Sequence, residues 1–157
     1  MSKTPIRIYQ FPGGLRFSKD GHWYHDGSPV THQGLASYLA RNLAWSGEAQ
    51  CWGIPSGGWF IPVEIEDTPF IVLGIDLDLP EPAVQLSDET IQEFNPAGLR
   101  FGSDDVPYVS IKNSSAPGGK IEARFSRSAM QSLISRIEEK EGEFYLTVGA
   151  VPVRIRI

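Results

Sequence analysis

Apolar and polar positions alternate with period two along most of this chain, and two stretches of helical spacing interrupt the alternation. Residues 1–14 read as a lead-in, with Ile6 and Ile8 in a short strand before Pro12-Gly13-Gly14 breaks it. Leu15-Arg16-Phe17 sets Arg16 against two apolar neighbours, and residues 22–25 return after Lys19-Asp20-Gly21. That turn is predicted because Asp-Gly accepts the positive φ of a tight hairpin. Asp26-Gly27-Ser28-Pro29 then breaks the pattern, and Thr31 is the predicted N-cap of a helix. Leu35, Tyr38, Leu39 and Leu43 give that helix its apolar face, and Ser46-Gly47 ends it. Residues 50–54 and 59–66 read as strands around a turn at 55–58, with Ile61, Val63 and Ile65 on one face. Residues 70–79 are the most strand-like run, continuously apolar at first and alternating afterwards.

Residues 80–98 are polar and spaced by Pro80, Pro82 and Pro96, and they read as a connector. Beyond them the order of elements repeats. Leu99-Arg100-Phe101 matches Leu15-Arg16-Phe17, residues 106–112 form a strand, 113–119 a loop of small residues, and 121–125 another strand. Ser126 caps a second helix carrying Met130, Leu133, Ile134 and Ile137, which Gly142 stops, and residues 143–148 and 151–157 close as a hairpin through Gly149-Ala150. Val30-Thr31 and Phe125-Ser126 both place an apolar residue before a hydroxyl cap, and Ser37 and Ser132 coincide when the two helices are aligned. Any two capped amphipathic helices share that much. The shared order of hairpin, helix and hairpin is what favours an internal duplication. The expected fold is therefore α+β. Two similar hairpin–helix–hairpin units, 1–79 and 99–157, each supply an antiparallel sheet packed with one main helix, and they share a core across the 80–98 connector.

Composition narrows the classes. A chain of 157 residues suits one domain or two small halves. That length buries about 70% of its unfolded surface without needing a disulfide or metal. With 41% apolar and 21% charged residues it is not a disordered chain. A formal charge of −5 disfavours nucleic acid or an anionic membrane as the main partner. Cys51 is the only cysteine, so no internal disulfide can form and a reducing compartment is expected. Met1-Ser2-Lys3-Thr4-Pro5 leads into no apolar signal segment, and Phe70-Ile71-Val72-Leu73 is far too short to span a bilayer. The expectation is a cytoplasmic protein.

Candidate chemistry is sparse. His22, His25 and His32 cluster near Asp20 and Asp26, but His22 and His25 fall on opposite faces of a strand, which works against converging metal ligands. Ser28, His32 and Asp26 can be written as a triad, yet no nucleophile elbow or glycine-rich oxyanion loop accompanies them. Cys51 between Gln50 and Trp52 reads as a small buried hydrophobe. Glu64 with Glu66 and Asp76 with Asp78 read as solvated strand faces. Glu66-Asp67, at a strand end before a break, stands where sites are usually built. No phosphate loop, dinucleotide fingerprint or calcium loop is present, and no cofactor is expected. Of the four tryptophans, all in the first half, most read as core.

The stretch Asp20-Gly21-His22-Trp23 through Gly27-Ser28-Pro29-Val30 resembles the opening of a bacterial family, domain of unknown function 1285 (DUF1285). Ile65-Glu66-Asp67-Thr68-Pro69-Phe70 is similar to that family's second box. Pro107-Tyr108-Val109 and Glu122-Ala123-Arg124-Phe125-Ser126-Arg127 resemble its later strand and helix entry. The resemblance runs from about Leu15 to Val153. It implies a duplicated α+β architecture and a ligand-binding or signal-transduction role without established enzyme activity.

The resulting expectation is a non-catalytic binding module for a small molecule or a regulatory protein. Its candidate site is a seam between halves holding Arg16, Trp23, Glu66, Asp67 and Arg100. A small hydrolase using the Glu66-Asp67 end and an oligomerisation scaffold are the alternatives, and a homo-oligomer is compatible with each.

Overall fold

The computed structural model describes residues 6–157, so the reading of residues 1–5 as leaderless lies outside the described residues. Sixteen strands dominate the described residues, with two α-helices between them. Strands β1 (Arg7–Ile8), β2 (Leu15–Phe17), β3 (Trp23–His25) and β4 (Ser28–Pro29) precede α1 (Gln33–Asn42). Strands β5 (Ala44–Ser46), β6 (Cys51–Ser56) and β7 (Trp59–Ile65) follow it. These build one sheet in the order β4-β3-β2-β7-β6-β5, with β1 also paired to β7. Two antiparallel meanders are joined where β2 lies parallel to β7, Leu15 opposite Val63.

The second sheet has the same plan. Strands β8 (Ile71–Asp76), β9 (Ala83–Leu86), β10 (Ile91–Glu93), β11 (Leu99–Phe101), β12 (Pro107–Lys112) and β13 (Lys120–Phe125) run in the order β10-β9-β8-β13-β12-β11. The parallel join is β8 to β13, with Arg124 opposite Ile71. Helix α2 (Arg127–Ile134) then leads into a separate three-stranded sheet of β14 (Ile137–Lys140), β15 (Glu143–Val148) and β16 (Val151–Ile155).

The expected α+β fold, two sheets each packed with one main helix, is therefore corrected. The protein is mostly β, with three mixed or antiparallel sheets and two helices. Between the meanders of the second sheet there is no α-helix but a short turn at Pro96–Gly98, where one proline and one glycine in three residues rule out a longer helix. Residues 80–98 hold β9 and β10, with Val84 and Leu86 buried on either side of exposed Gln85. Helix α1 ends at Asn42 because Ala44–Ser46 pairs with β6, and α2 ends at Ile134 because Ile137–Lys140 pairs with β15.

One hydrophobic core runs through both large sheets and α2. It includes Phe17, Ile54, Phe70, Ile71, Val84, Ala123 and Leu133. The Trp52 ring from the first sheet meets the Phe70 edge at 5.6 Å, an edge-to-face contact at the entry to the second. Among the described residues no helix is long and apolar enough to cross a membrane.

Candidate functional site

The residues expected at the seam separate into two polar groups and one core residue. Arg16 sits on β2 opposite Tyr24 of β3, and its guanidinium stacks 4.5 Å from that ring. It also donates to Glu66 at 3.3 Å, while the Lys19 backbone N–H donates to the same carboxylate oxygen at 2.9 Å. Arg100 repeats this arrangement on β11, opposite Tyr108 of β12, again 4.5 Å from the ring. Its carboxylate partner, however, is Glu122, reached by two bonds of 2.8 and 2.9 Å. That pairing holds the Arg100 guanidinium above its already high ordinary pKa. Trp23 turns inward and is buried against Phe17, ring centroids 4.8 Å apart.

Asp67 bridges the segment after β7 to the second sheet. The Tyr108 hydroxyl donates to its Oδ2 at 2.6 Å, and Arg124 Nη1 donates to the same oxygen and to the Tyr108 oxygen, each at 3.1 Å. Burial first, and the Asp67 hydrogen bond second, push the Tyr108 hydroxyl above the usual tyrosine range. Thr68, buried beside this group, donates to the Phe70 carbonyl and accepts from the Arg124 backbone N–H. Tyr24, Tyr108 and Arg124 are the members that sequence reasoning missed. A signal for the tyrosines was present: each stands eight positions after the arginine of a Leu-Arg-Phe triplet.

A cavity of about 410 Å³ opens elsewhere, between α1 and the first sheet. This volume is within the range of small-molecule sites, roughly 300–1,000 Å³. Leu15, Leu35, Leu39, Ile54, Ile61 and Phe11 supply apolar wall. His25, His32, Tyr38 and the hydroxyl residues Ser28, Thr31 and Ser56 supply the polar points. The cap of α1 is His32 rather than Thr31: its Nδ1 accepts from the Leu35 N–H at 3.0 Å. Leu35 and Tyr38, expected on the core face of α1, remain 47% and 42% exposed, whereas Leu39 is 6% exposed. Across the cavity His25 Nε2 bonds to the Pro12 carbonyl at 2.7 Å, and the Phe11 ring lies 4.7 Å from the imidazole.

The remaining candidates are placed as follows. His22 lies by another depression, with Lys19, Arg124 and Arg127, away from His25 and His32. Among the described residues no three His, Cys, Asp or Glu converge as a metal-holding group. The Ser28-His32-Asp26 set cannot act as a relay through His32 Nδ1, since the Leu35 amide occupies that nitrogen. Burial pushes the Cys51 thiol pKa up, which lowers its thiolate content. Asp78 bonds to Arg136, and that bond holds its carboxyl below the usual range.

No protein-family model and no curated protein matches this sequence. Solved structures do resemble it. A DUF1285 family protein from Silicibacter pomeroyi DSS-3 superposes with a TM-score of 0.65 at 14% identity, over 98% of this chain and 83% of its own. A DUF1285 family protein from Shewanella baltica OS155 gives 0.56, also at 14% identity, over 77% of this chain and 90% of its own. The chain thus has the fold of these DUF1285 proteins, and that likeness supports the resemblance read from its Asp-Gly and Glu-Asp boxes.

Proposed function

We propose that this chain is a non-catalytic module that binds a small, largely apolar molecule in the cavity between α1 and the first sheet. The observation that carries the reading is the state of α1. Leu35 and Tyr38 line a concave space of about 410 Å³ and stay nearly half exposed, although they occupy the helix face that packing would ordinarily cover. Apolar side chains kept open in a concavity cost folding stability, a pattern common where a ligand completes the packing.

The polar seam is, in this reading, a structural lock. Glu66 Oε2 accepts from Lys19 and Arg16, and Asp67 Oδ2 accepts from Tyr108 and Arg124, so both carboxylates are tied to neighbouring strands.

Methyl-resolved NMR on the purified chain, titrated with indole and with 1-octanol, tests the assignment. Shifts are expected to gather at Leu35, Leu39, Ile54 and Ile61, and to vanish in Ile61→Trp, which fills the space, while the thermal transition is kept. Shifts centred on Tyr108 and Arg124 instead would move the site to the seam and overturn the proposal.

A further inference from the structure

The cavity's two imidazoles have their proton positions set by their neighbours. A backbone N–H can only donate, so His32 Nδ1, which receives the Leu35 N–H at 3.0 Å, is the unprotonated nitrogen of a neutral ring. The proton is then on Nε2, and His32 offers the cavity a donor. A backbone carbonyl can only accept, so His25 Nε2, 2.7 Å from the Pro12 oxygen, carries the proton there. In the neutral ring this leaves His25 Nδ1 as an acceptor. Both rings line the same space. Gly34 helps to keep the His32 ring in place, since a Cβ there would come within 3.0 Å of its Cε1.

The rest of the lining sets the charge. Among the described residues no Asp, Glu, Lys or Arg lines this cavity. A carboxylate or an ammonium entering it would leave water without meeting an opposite charge, which is costly. A group that both accepts and donates would instead satisfy His32 and His25 without charge.

We infer that the ligand is an uncharged molecule with an apolar body and a polar end that both accepts and donates hydrogen bonds, the chemistry of a primary carboxamide or an alcohol. This deepens the cavity reading above and rests on it.

Three probes of equal chain length test it: octanamide, octanoate and octylammonium, titrated calorimetrically into the full chain at pH 8, where imidazole is neutral. Octanamide is expected to bind tightest, with each charged probe about tenfold weaker or worse. In His32→Asp the helix cap is retained but the donor is replaced by a negative charge. Octanamide should then weaken about tenfold and octylammonium should strengthen. The ranking of probes on the unsubstituted chain stands as a test by itself if that variant does not fold. Octanoate or octylammonium binding as tightly as octanamide overturns the inference about polarity while leaving the cavity as a site. Failure of every probe to shift the Leu35 and Ile54 methyl signals overturns the cavity reading, and this inference with it.

Discussion

Tyr108 does the most bonding of any single side chain at the seam. It donates to Asp67, accepts from Arg124, and carries Arg100 on its ring. Phenylalanine at this position would keep the ring and remove both hydroxyl bonds. Tyr108→Phe is therefore expected to cost about 1–2 kcal/mol near neutral pH, read from urea unfolding. The raised pKa adds a pH signature. An unfolded tyrosine loses its proton near pH ~10, while the folded one still holds it, so the folded state binds more protons there. The contribution is fully present below that pH and is lost as pH rises through the folded value. Wild-type stability should thus fall more steeply than that of Tyr108→Phe above pH ~10, and parallel curves would contradict the linkage. Arg100 gives the contrast. Its bidentate pair with Glu122 is roughly half exposed on both sides, so Arg100→Met is expected to cost less than about 1 kcal/mol in the same assay. Asp67 is visible through its box and Arg100 through the repeated Leu-Arg-Phe triplet. Tyr108 and Arg124 also stand in boxes, but their pairing with Asp67 is hidden, because they meet it only across separations of 41 and 57 residues.

Among the elements, strands read truest where one face is buried and the other wet. Leu15-Arg16-Phe17 shows this directly, with both leucine and phenylalanine buried on either side of Arg16, and the turns at Gly21 and Gly149 have the positive φ that glycine accepts. Strands β9 and β10 escaped because Pro80, Pro82 and Pro96 resemble linker punctuation, although Val84-Gln85-Leu86 carries the same alternation in miniature. Helical spacing overshoots both helices because apolar residues beyond each end continue it by chance: Leu43 is the residue after α1, and Ile137 lies in β14. The β6–β7 pair offers a test at this scale. Gly53 stands opposite Pro62, and the Phe60 ring folds over it. A Cβ at Gly53 would lie 2.4 Å from the Ile61 carbonyl oxygen and 2.5 Å from Phe60 Cζ. Backbone and a buried ring both have little room to yield, so Gly53→Ala is expected to destabilise by about 1–3 kcal/mol. A denaturation midpoint unchanged from wild type would show that β7 shifts freely, against the packing described.

At the scale of the whole molecule, the shared strand order of the two large sheets invites dissection, and the core argues that dissection fails. In each sheet the two meanders are joined by a parallel pair between distant strands, β2 with β7 and β8 with β13. Such pairs form only after long loops have closed, so neither sheet is assembled from local contacts alone. Fragments 1–80 and 96–157, which follow the expected units 1–79 and 99–157, are separated at the parallel join of the second sheet. The first fragment would keep β8 without β9 or β13, exposing Phe70, Ile71 and Val72, each at most 1% exposed in the intact chain. The second would lose β8, against which α2 packs, uncovering Ala123 and Leu133, both fully buried. A bond that crosses between the sheets would go as well, from the Trp45 N–H to Ser115 Oγ at 3.0 Å. Pieces of roughly 60–80 residues are marginal even with an intact core. Both fragments are therefore expected to lack a cooperative thermal transition by circular dichroism, while the full chain melts in a single step. A cut at residue 69 should serve the first sheet better, because it removes β8 and leaves β1 to β7 whole. That fragment would still bare Trp52 where Phe70 covered it, so it is expected to melt well below the full chain. A sharp transition in 96–157 would mean that β11 to β16 hold together without β8, and the single-core account of this fold would fail.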